Sequence, residues 1–282
     1  MIGIAIANSL GLNSRSSSSF DPDAQAFITA SGITDPTQQT AINSLVVDLK
    51  ANSLWTKMNA IYPFVGGTSS THKWNLKDPR DLDAAYRLVF SGGWTHSSTG
   101  AKPNGVNAYA NTYLIPSVVL NYASLSYYSR TNTAEIGTGD ANGIVVGVRS
   151  DNTTVNNALN LRIKSNPTNN NDFFYSRTGS AANTSVRVVD SNGLGLFSGA
   201  LDASTSKLYR NGVNLTGTVS TFVRNTPNLS IYIGALNNKG FGGEYSLKES
   251  AFAHIGDTLD ATEMANLYTV VQAFQTTLGR QV

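Results

Sequence analysis

The chain has 282 residues, no cysteine, a net charge of +2 and 13% charged residues, about half the ~25% usual for soluble domains. These figures exclude disulfides, thiolate metal sites and cysteine nucleophiles. They also argue against a nucleic-acid reader, which would carry a basic stripe. Abundant asparagine, serine and threonine supply the polarity instead. Such short polar side chains suit exposed strand faces and turns and resist helix, a composition common in extracellular or particle-surface β proteins.

The chain opens on "MIGIAIANSLGL", apolar but short and without a basic flank, so it is not read as a signal peptide. It is too short to span a membrane, and no other segment reaches spanning length. Residues 1–19 end in the serine-rich "NSRSSSS" and are expected to be a flexible or docked anchor peptide. Its β-branched Ile2 and Ile4 suit strand addition at an open sheet edge.

Residues 20–59 are expected to form a small helical element. Asp21-Pro22 and Asp35-Pro36 each place an N-cap acid before an N1 proline. In the second helix Ile42, Leu45, Val46 and Leu49 fall at i, i+3, i+4 and i+7, and Leu54 and Met58 extend the pattern past a break near Asn52. This stripe needs a covering surface. Either the chain's own sandwich supplies it, or it serves with Ile2 and Ile4 as an assembly surface in a homo-oligomer.

From about residue 60 the period becomes two. "GIVVGVR" puts Ile144, Val146 and Val148 on one face, "ALNLRIK" puts Leu159, Leu161 and Ile163, and "NLSIYIG" puts Leu229, Ile231 and Ile233. "SVRVV" and "SAFAHIG" behave alike, and turn-rich stretches such as "GDANG", "SNPTNNND" and "LNNKGFGG" separate the runs. Residues 60–282 therefore read as an all-β antiparallel sandwich with one wet face per sheet. In "SKLYRNGVNL" the pair Asn211-Gly212 predicts a type I′ hairpin turn, which needs positive φ at both central positions. At the end, Asp260 and Glu263 have capping-box spacing. Met264, Leu267, Val271, Phe274 and Leu278 form a buried helical stripe, and Gly279 stops it.

Catalytic patterns are sparse. Asp78, Asp81 and Asp83 cluster, and a turn with a short capped helix, partnered by Arg80 and Arg87, explains them without a carboxylate site. His72, His96 and His254 lack zinc-ligand spacing, and His254 is expected to face solvent. No Gly-x-Ser-x-Gly elbow or phosphate loop occurs. The sequons at Asn152, Asn183, Asn214 and Asn228 matter only in a eukaryotic secretory route. Calcium is a possible cofactor, with oxygens from Asp140 and Asn142 in one loop and Asn171 and Asp172 in another, although turn formation explains the same residues. Trp94 and Tyr109 are the candidates for stacking on a sugar ring, against the alternative that both are core aromatics.

Two resemblances follow. Tyr209, Asn211 and Gly212, then Ile233 and Gly234, then Leu259, Glu263, Met264, Leu267 and Tyr268 resemble the C-terminal half of concanavalin A-like, laminin-G-like jelly rolls. That fold hosts lectins, glycanases and structural modules. Its glycanases commonly carry a Glu-x-Asp-x-x-Glu strand, which is missing here: Glu244 and Glu249 have the wrong spacing. Residues 20–115, from "DPDAQAFITASGITDP" to "GGWTHSSTGAKPNGVNAYA", resemble a segment of tailed-bacteriophage virion proteins. The combined expectation is a non-enzymatic virion structural protein of tail, baseplate, fibre or head surface. The resemblance implies other virion proteins as partners and, from the three-fold symmetry of fibre-like phage parts, a trimer as the form of the homo-oligomer. A host surface glycan is a further expected partner, and the charge and the absence of a spanning segment leave no nucleic-acid or membrane partner expected. The alternative is a carbohydrate-binding module or adhesin, and a glycan-cleaving enzyme ranks third.

Overall fold

The computed structural model describes residues 20–135, 143–150, 155–165, 168–178, 185–203, 205–215 and 226–282. Ile2, Ile4, Asp140 and Asn142 lie outside the described residues.

Helices α1 (Pro22–Ser31) and α2 (Pro36–Ala51) start where the acid–proline pairs place them. The Asp21 carboxylate accepts the Asp23 N–H and that of Asp35 accepts the Gln38 N–H. Proline occupies N1 in both, where its missing N–H removes no helical bond. Leu54 then turns into the core and Met58 opens the first strand, so the helical element ends just short of residue 59.

The strands in chain order begin with β1 (Met58–Tyr62), β2 (Val89–Ser91), β3 (Trp94–Ser97), β4 (Gly100–Pro103) and β5 (Tyr109–Asn111). The middle set is β6 (Ala123–Ser129), β7 (Ile144–Arg149), β8 (Val155–Arg162), β9 (Asn170–Thr178), β10 (Ser185–Val189) and β11 (Gly195–Leu201). The last are β12 (Ser206–Arg210), β13 (Val213–Asn214), β14 (Tyr232–Ile233), β15 (Leu236–Asn238), β16 (Phe241–Gly243) and β17 (Ser250–Gly256). Short helices α3 (Ser69–His72) and α4 (Pro116–Val119) sit in loops, and α5 (Ala261–Thr277) follows β17.

Two sheets form a sandwich. The first runs β13-β12-β11-β6-β17-β4-β3, with β1 also on β17. The second runs β10-β9-β8-β7-β14-β5-β2, with the β15–β16 hairpin joined to β7. Pairing is antiparallel except between β15 and β7. Leu125, Tyr127, Phe197 and Ile255 of the first sheet meet Val146, Leu159, Leu161, Phe173 and Ile233 of the second in the interior.

A second core lies on the outer face of the first sheet. Ile61, Tyr128, Leu196 and Phe252 pack beneath Phe27 of α1, the α2 stripe, and Met264, Leu267, Val271 and Phe274 of α5. This corrects the assembly expectation for α2: Ile42, Leu45, Val46 and Leu49 are at most 1% exposed and are consumed inside the chain. Every position of β6, β11 and β17 is buried, because both faces of these strands are covered.

The Asn211-Gly212 hairpin forms as expected, with φ of 51° and 74° and Arg210 paired to Val213. It docks on α5: a Cβ on Gly212 would lie 2.9 Å from the Ala265 Cα. Helix α5 begins with the Asp260–Glu263 capping box, and Gly279 ends it at φ 64°. Beyond it Arg280, 1% exposed, donates to Gln275 Oε1 and to the carbonyls of Pro63, Phe64 and Ala251, and so clamps the helix end to the sheet. Burial brings its pKa down to about 9.

Candidate functional site

Among the described residues no helix packs on the outer face of the second sheet. On β5 Ala110 points into the core, so Tyr109 and Asn111 point out. On β14 Ile233 points in and Tyr232 out. The Tyr109 and Tyr232 rings stack there, 4.5 Å apart and 13° from parallel. The sequence marked Tyr109 but missed Tyr232. The strand period places Tyr232 outward, and only the β5–β14 pairing gives it a partner.

The β15–β16 hairpin stands beside this stack. A Cβ on Gly242 would lie 3.1 Å from the Tyr109 ring, so the hairpin backbone rests on that tyrosine. Tyr245 donates its hydroxyl proton to the Gly242 carbonyl at 2.8 Å. Asn237 holds the strand entry: its amide donates to Ser230 O and its oxygen accepts the Gly240 N–H. The turn residues Lys239 and Gly240 take φ of 57° and 95°. On this braced hairpin Phe241 is 78% exposed. Asn238 is its direct register partner, so the two side chains share one face. The Asn238 Oδ1 is buried and accepts no hydrogen bond.

A charged row continues across the same sheet. Asp172 on β9 accepts from Arg162 at 2.8 Å and from Arg187 at 2.7 and 3.1 Å. Arg162 also donates to Glu244 at 3.0 Å, and its buried Nε has no partner. Burial pushes the Glu244 carboxyl up, and Arg162 opposes that shift. The calcium expectation at Asn171 and Asp172 meets this geometry. Both Asp172 oxygens face guanidinium groups, and Asn171 Oδ1 closes a turn by accepting the Lys164 N–H at 2.8 Å. Among the described residues no group of three or more His, Cys, Asp or Glu is placed to hold a metal ion.

Trp94 is half-buried at the sandwich edge. Its indole N–H is shared between the Ser91 and Tyr109 carbonyls at 3.1 and 3.3 Å, and its ring covers Gly234. The two aromatic candidates are thus neighbours through the Tyr109 backbone, while their rings serve different surfaces. Asp78, Asp81 and Asp83 are ion-paired to Arg80, Lys73 and Arg87 in the turn and short helix that the sequence suggested. Glu249 accepts from Thr99 and pairs with Arg130.

The histidines form two buried networks. His72 Nε2 accepts the Gly67 N–H, so its Nδ1 carries the proton and donates to His96 Nδ1 at 2.9 Å. His254 does not face solvent as expected. It is 0% exposed on the helix-covered face, bonded to Ser126 at 3.1 Å and Ser124 at 3.4 Å. Its second nitrogen faces a serine rather than a carboxylate, and the pair is sealed from solvent. Burial lowers the pKa of both His72 and His254 to about 3.

No family model and no curated protein matches the chain. Solved structures do. The chain is similar to a Trypanosoma rangeli sialidase at 12% identity over 82% of this chain, with TM-score 0.50. It spans 39% of that sialidase's length. It is also similar to domain 4 of the Geobacillus stearothermophilus arabinanase AbnA in complex with arabinotriose, at 15% identity, 75% and 98% coverage and TM-score 0.43. The CBM40 of the Ruminococcus gnavus IT-sialidase bound to alpha2,6 sialyllactose matches at 12% identity, 53% and 84% coverage and TM-score 0.40. The likeness to the sialidase concerns the fold: two antiparallel sheets forming a sandwich, with small N-terminal helices and a C-terminal helix. None of these matches supports the tailed-phage resemblance of residues 20–115.

Proposed function

We propose that the protein is a carbohydrate-binding β-sandwich, and that the glycan lies against the β15–β16 hairpin at the exposed Phe241. One juxtaposition carries this reading: the exposed Phe241 ring beside the buried, unpartnered Asn238 Oδ1. An aromatic face takes the C–H side of a sugar, and a rotation of the Asn238 side chain brings its unpartnered Oδ1 out to accept a sugar hydroxyl. Tyr109, Tyr232 and Tyr245 hold the hairpin in place before any ligand arrives, which lowers the ordering cost of binding.

A glycan array on the purified protein tests the reading. Retention of at least one glycan class is expected, with Phe241→Ala and Asn238→Ala each weakening it about tenfold or more. Absence of binding to every glycan refutes it. The reading includes no turnover, since Asp78, Asp81, Asp83, Glu244 and Glu249 are each engaged by a cationic side chain. Release of reducing ends that is abolished by Glu244→Gln overturns that part.

The virion role is a second reading, carried by the residues 20–115 resemblance alone. It places an oligomer of this chain on the particle, anchored through residues 1–19. Deleting those residues leaves a soluble sandwich that no longer joins the particle. Incorporation at the normal level rejects the anchor.

A further inference from the structure

Residues 65–68 link β1 to α3 and form a strap between the start of α2 and the turn that joins β3 to β4. Gly66 and Gly67 hold φ of 84° and 77°. A Cβ would lie 2.6 Å from the Thr71 side chain at the first and 3.2 Å from the Ser98 nitrogen at the second, so the backbone lies close against both neighbours. The strap is tied on two sides. On one, the Gly66 N–H donates to Gln38 Oε1 of α2 at 2.8 Å. On the other, the Gly67 N–H donates to His72 Nε2 at 3.2 Å, and His72 reaches His96 of β3 at 2.9 Å. Val65, Gln38, Ser98 and Arg280 are among the residues lining a cleft of about 280 Å³ beside it.

A backbone N–H has only one role, and here it fixes every proton in the relay. Gly67 donates, so His72 Nε2 carries no hydrogen and His72 Nδ1–H is the donor to His96. His96 Nδ1 is then the acceptor, and the His96 proton sits on Nε2. A second proton on His96 enters at Nδ1, where it confronts the His72 Nδ1–H. His72 yields only by moving its own proton to Nε2, where it confronts the Gly67 N–H. Either way one link between the strap and β3 is lost. His72 is 1% exposed and His96 is half-buried, so the first proton enters at His96.

Few charges surround the pair. Arg280, behind α5, acts on His72 and opposes a second cation there. From β2 His96 meets the Phe90 ring at 4.7 Å, and within β3 it stacks on Trp94 at 6.2 Å. On β4 its register partner is Ala101, which places Lys102 on the opposite face of the strand. Among the described residues no carboxylate acts on either ring to favour the charged form. We propose that the His72–His96 pair is a pH-sensitive latch on residues 65–68, closed while both rings are neutral and released when His96 takes a proton. Burial holds His96 below the usual imidazole range in the closed form, whereas a released ring titrates at about 6.5. The open form therefore binds more protons below that pH, and opening grows up to about tenfold per pH unit until the closed form titrates as well. The latch is independent of the glycan reading at Phe241.

Amide hydrogen exchange on the intact chain tests the latch, with the Tyr127 amide of β6 reporting global opening. The Gly67 amide is expected to be less protected than Tyr127 throughout, and its protection to fall up to about tenfold between about pH 6.5 and 5.5. In His96→Gln an amide oxygen accepts the His72 proton at any pH, so Gly67 protection should stay level over the same range. A second measurement needs no variant: imidazole 15N spectra of the wild-type chain should place the neutral proton on Nδ1 of His72 and on Nε2 of His96, with His96 charging first. The proposal is overturned by Gly67 protection equal to that of Tyr127, by a level profile in the wild type, or by an equal fall in His96→Gln. The opposite tautomers, or His72 charging first, overturn it as well.

Discussion

The two outer faces of this sandwich have opposite fates. The first sheet turns Ile61, Tyr128, Leu196 and Phe252 outward, and three helices seal them. The second sheet turns out Tyr109, Tyr232, Arg162 and Asp172, and among the described residues no helix covers them. The first face is apolar and sealed by helices, whereas on the second the polar Arg162 and Asp172 and the ring of Tyr232 are at most 8% exposed. On the covered face the His254–Ser126–Ser198 network is hydrogen-bonded within the chain, while the Tyr209 hydroxyl and the Trp74 indole N–H are buried without a partner. The open face and its hairpin also keep unpartnered atoms, Arg162 Nε and Asn238 Oδ1. A buried polar atom without a partner costs stability unless something else supplies one.

The sharpest way to break this contrast is to mutate each face. Leu267→Ala removes a fully buried side chain between α5 and the sheet and is expected to cost about 2–5 kcal/mol in urea denaturation. Phe241→Ser on the open face should stay within about 0.5 kcal/mol. Equal losses would show that the helical layer is not part of the core.

Much of the covered face was legible beforehand. Asp21-Pro22, Asp35-Pro36 and Asp260 with Glu263 fixed helix starts through local cap chemistry, and Asn211-Gly212 fixed a turn through local φ. The α2 stripe was also visible, but periodicity reports that a face is apolar and not what covers it. Its partner, α5, lies more than two hundred positions along the chain, so an oligomer contact read equally well. The His254 error has the same origin. A period of two assumes one wet face, and β17 has none. Arg280 gave no signal, because its acceptors are backbone carbonyls from distant segments. On the open face Tyr109 was marked, while Phe241 stood inside "LNNKGFGG" and read as turn.

Acid probes the covered face next. His72 and His254 titrate near 3 when folded because burial disfavours the cation, against about 6.5 when unfolded. Below 6.5 the unfolded chain binds protons that the folded one does not, so stability present above that pH is lost as pH falls towards 3. Each histidine contributes up to about 1.4 kcal/mol per pH unit. Glu135 and Glu244, pushed up by burial, offset part of this near the carboxylate range. The loss should appear in denaturation midpoints between pH 6.5 and 5, before the carboxylates titrate. A flat profile there would mean the histidines are hydrated.

The two hairpin glycines separate a covered turn from an open one. Gly212 at φ 74° meets Ala265 of α5, whereas Gly240 at φ 95° has nothing within 4 Å of a Cβ. Gly240→Ala is expected to cost about 1 kcal/mol, from backbone strain alone. Gly212→Val adds a steric clash to the same strain and should cost more. Equal losses in thermal melts would show that the β12–β13 turn does not dock on α5.

The smallest effect concerns calcium and the open face. A ligand that binds only the folded state stabilises it by RT ln(1 + [L]/Kd), about 2.7 kcal/mol at a hundredfold excess over Kd. At Asp172 calcium would have to displace Arg162 and Arg187 from a carboxylate that is 2% exposed. Opening these pairs forfeits the charge-assisted contacts of two guanidinium groups to a buried carboxylate, a cost a single carboxylate–calcium contact does not offset. Millimolar calcium or its chelation is therefore expected to leave the melting temperature unchanged at neutral pH. A calcium-dependent rise that persists in Asp172→Asn would place the ion elsewhere, with Asp140 and Asn142 the next residues to substitute. A rise abolished by Asp172→Asn would instead mean that the arginine pairs open to admit the ion.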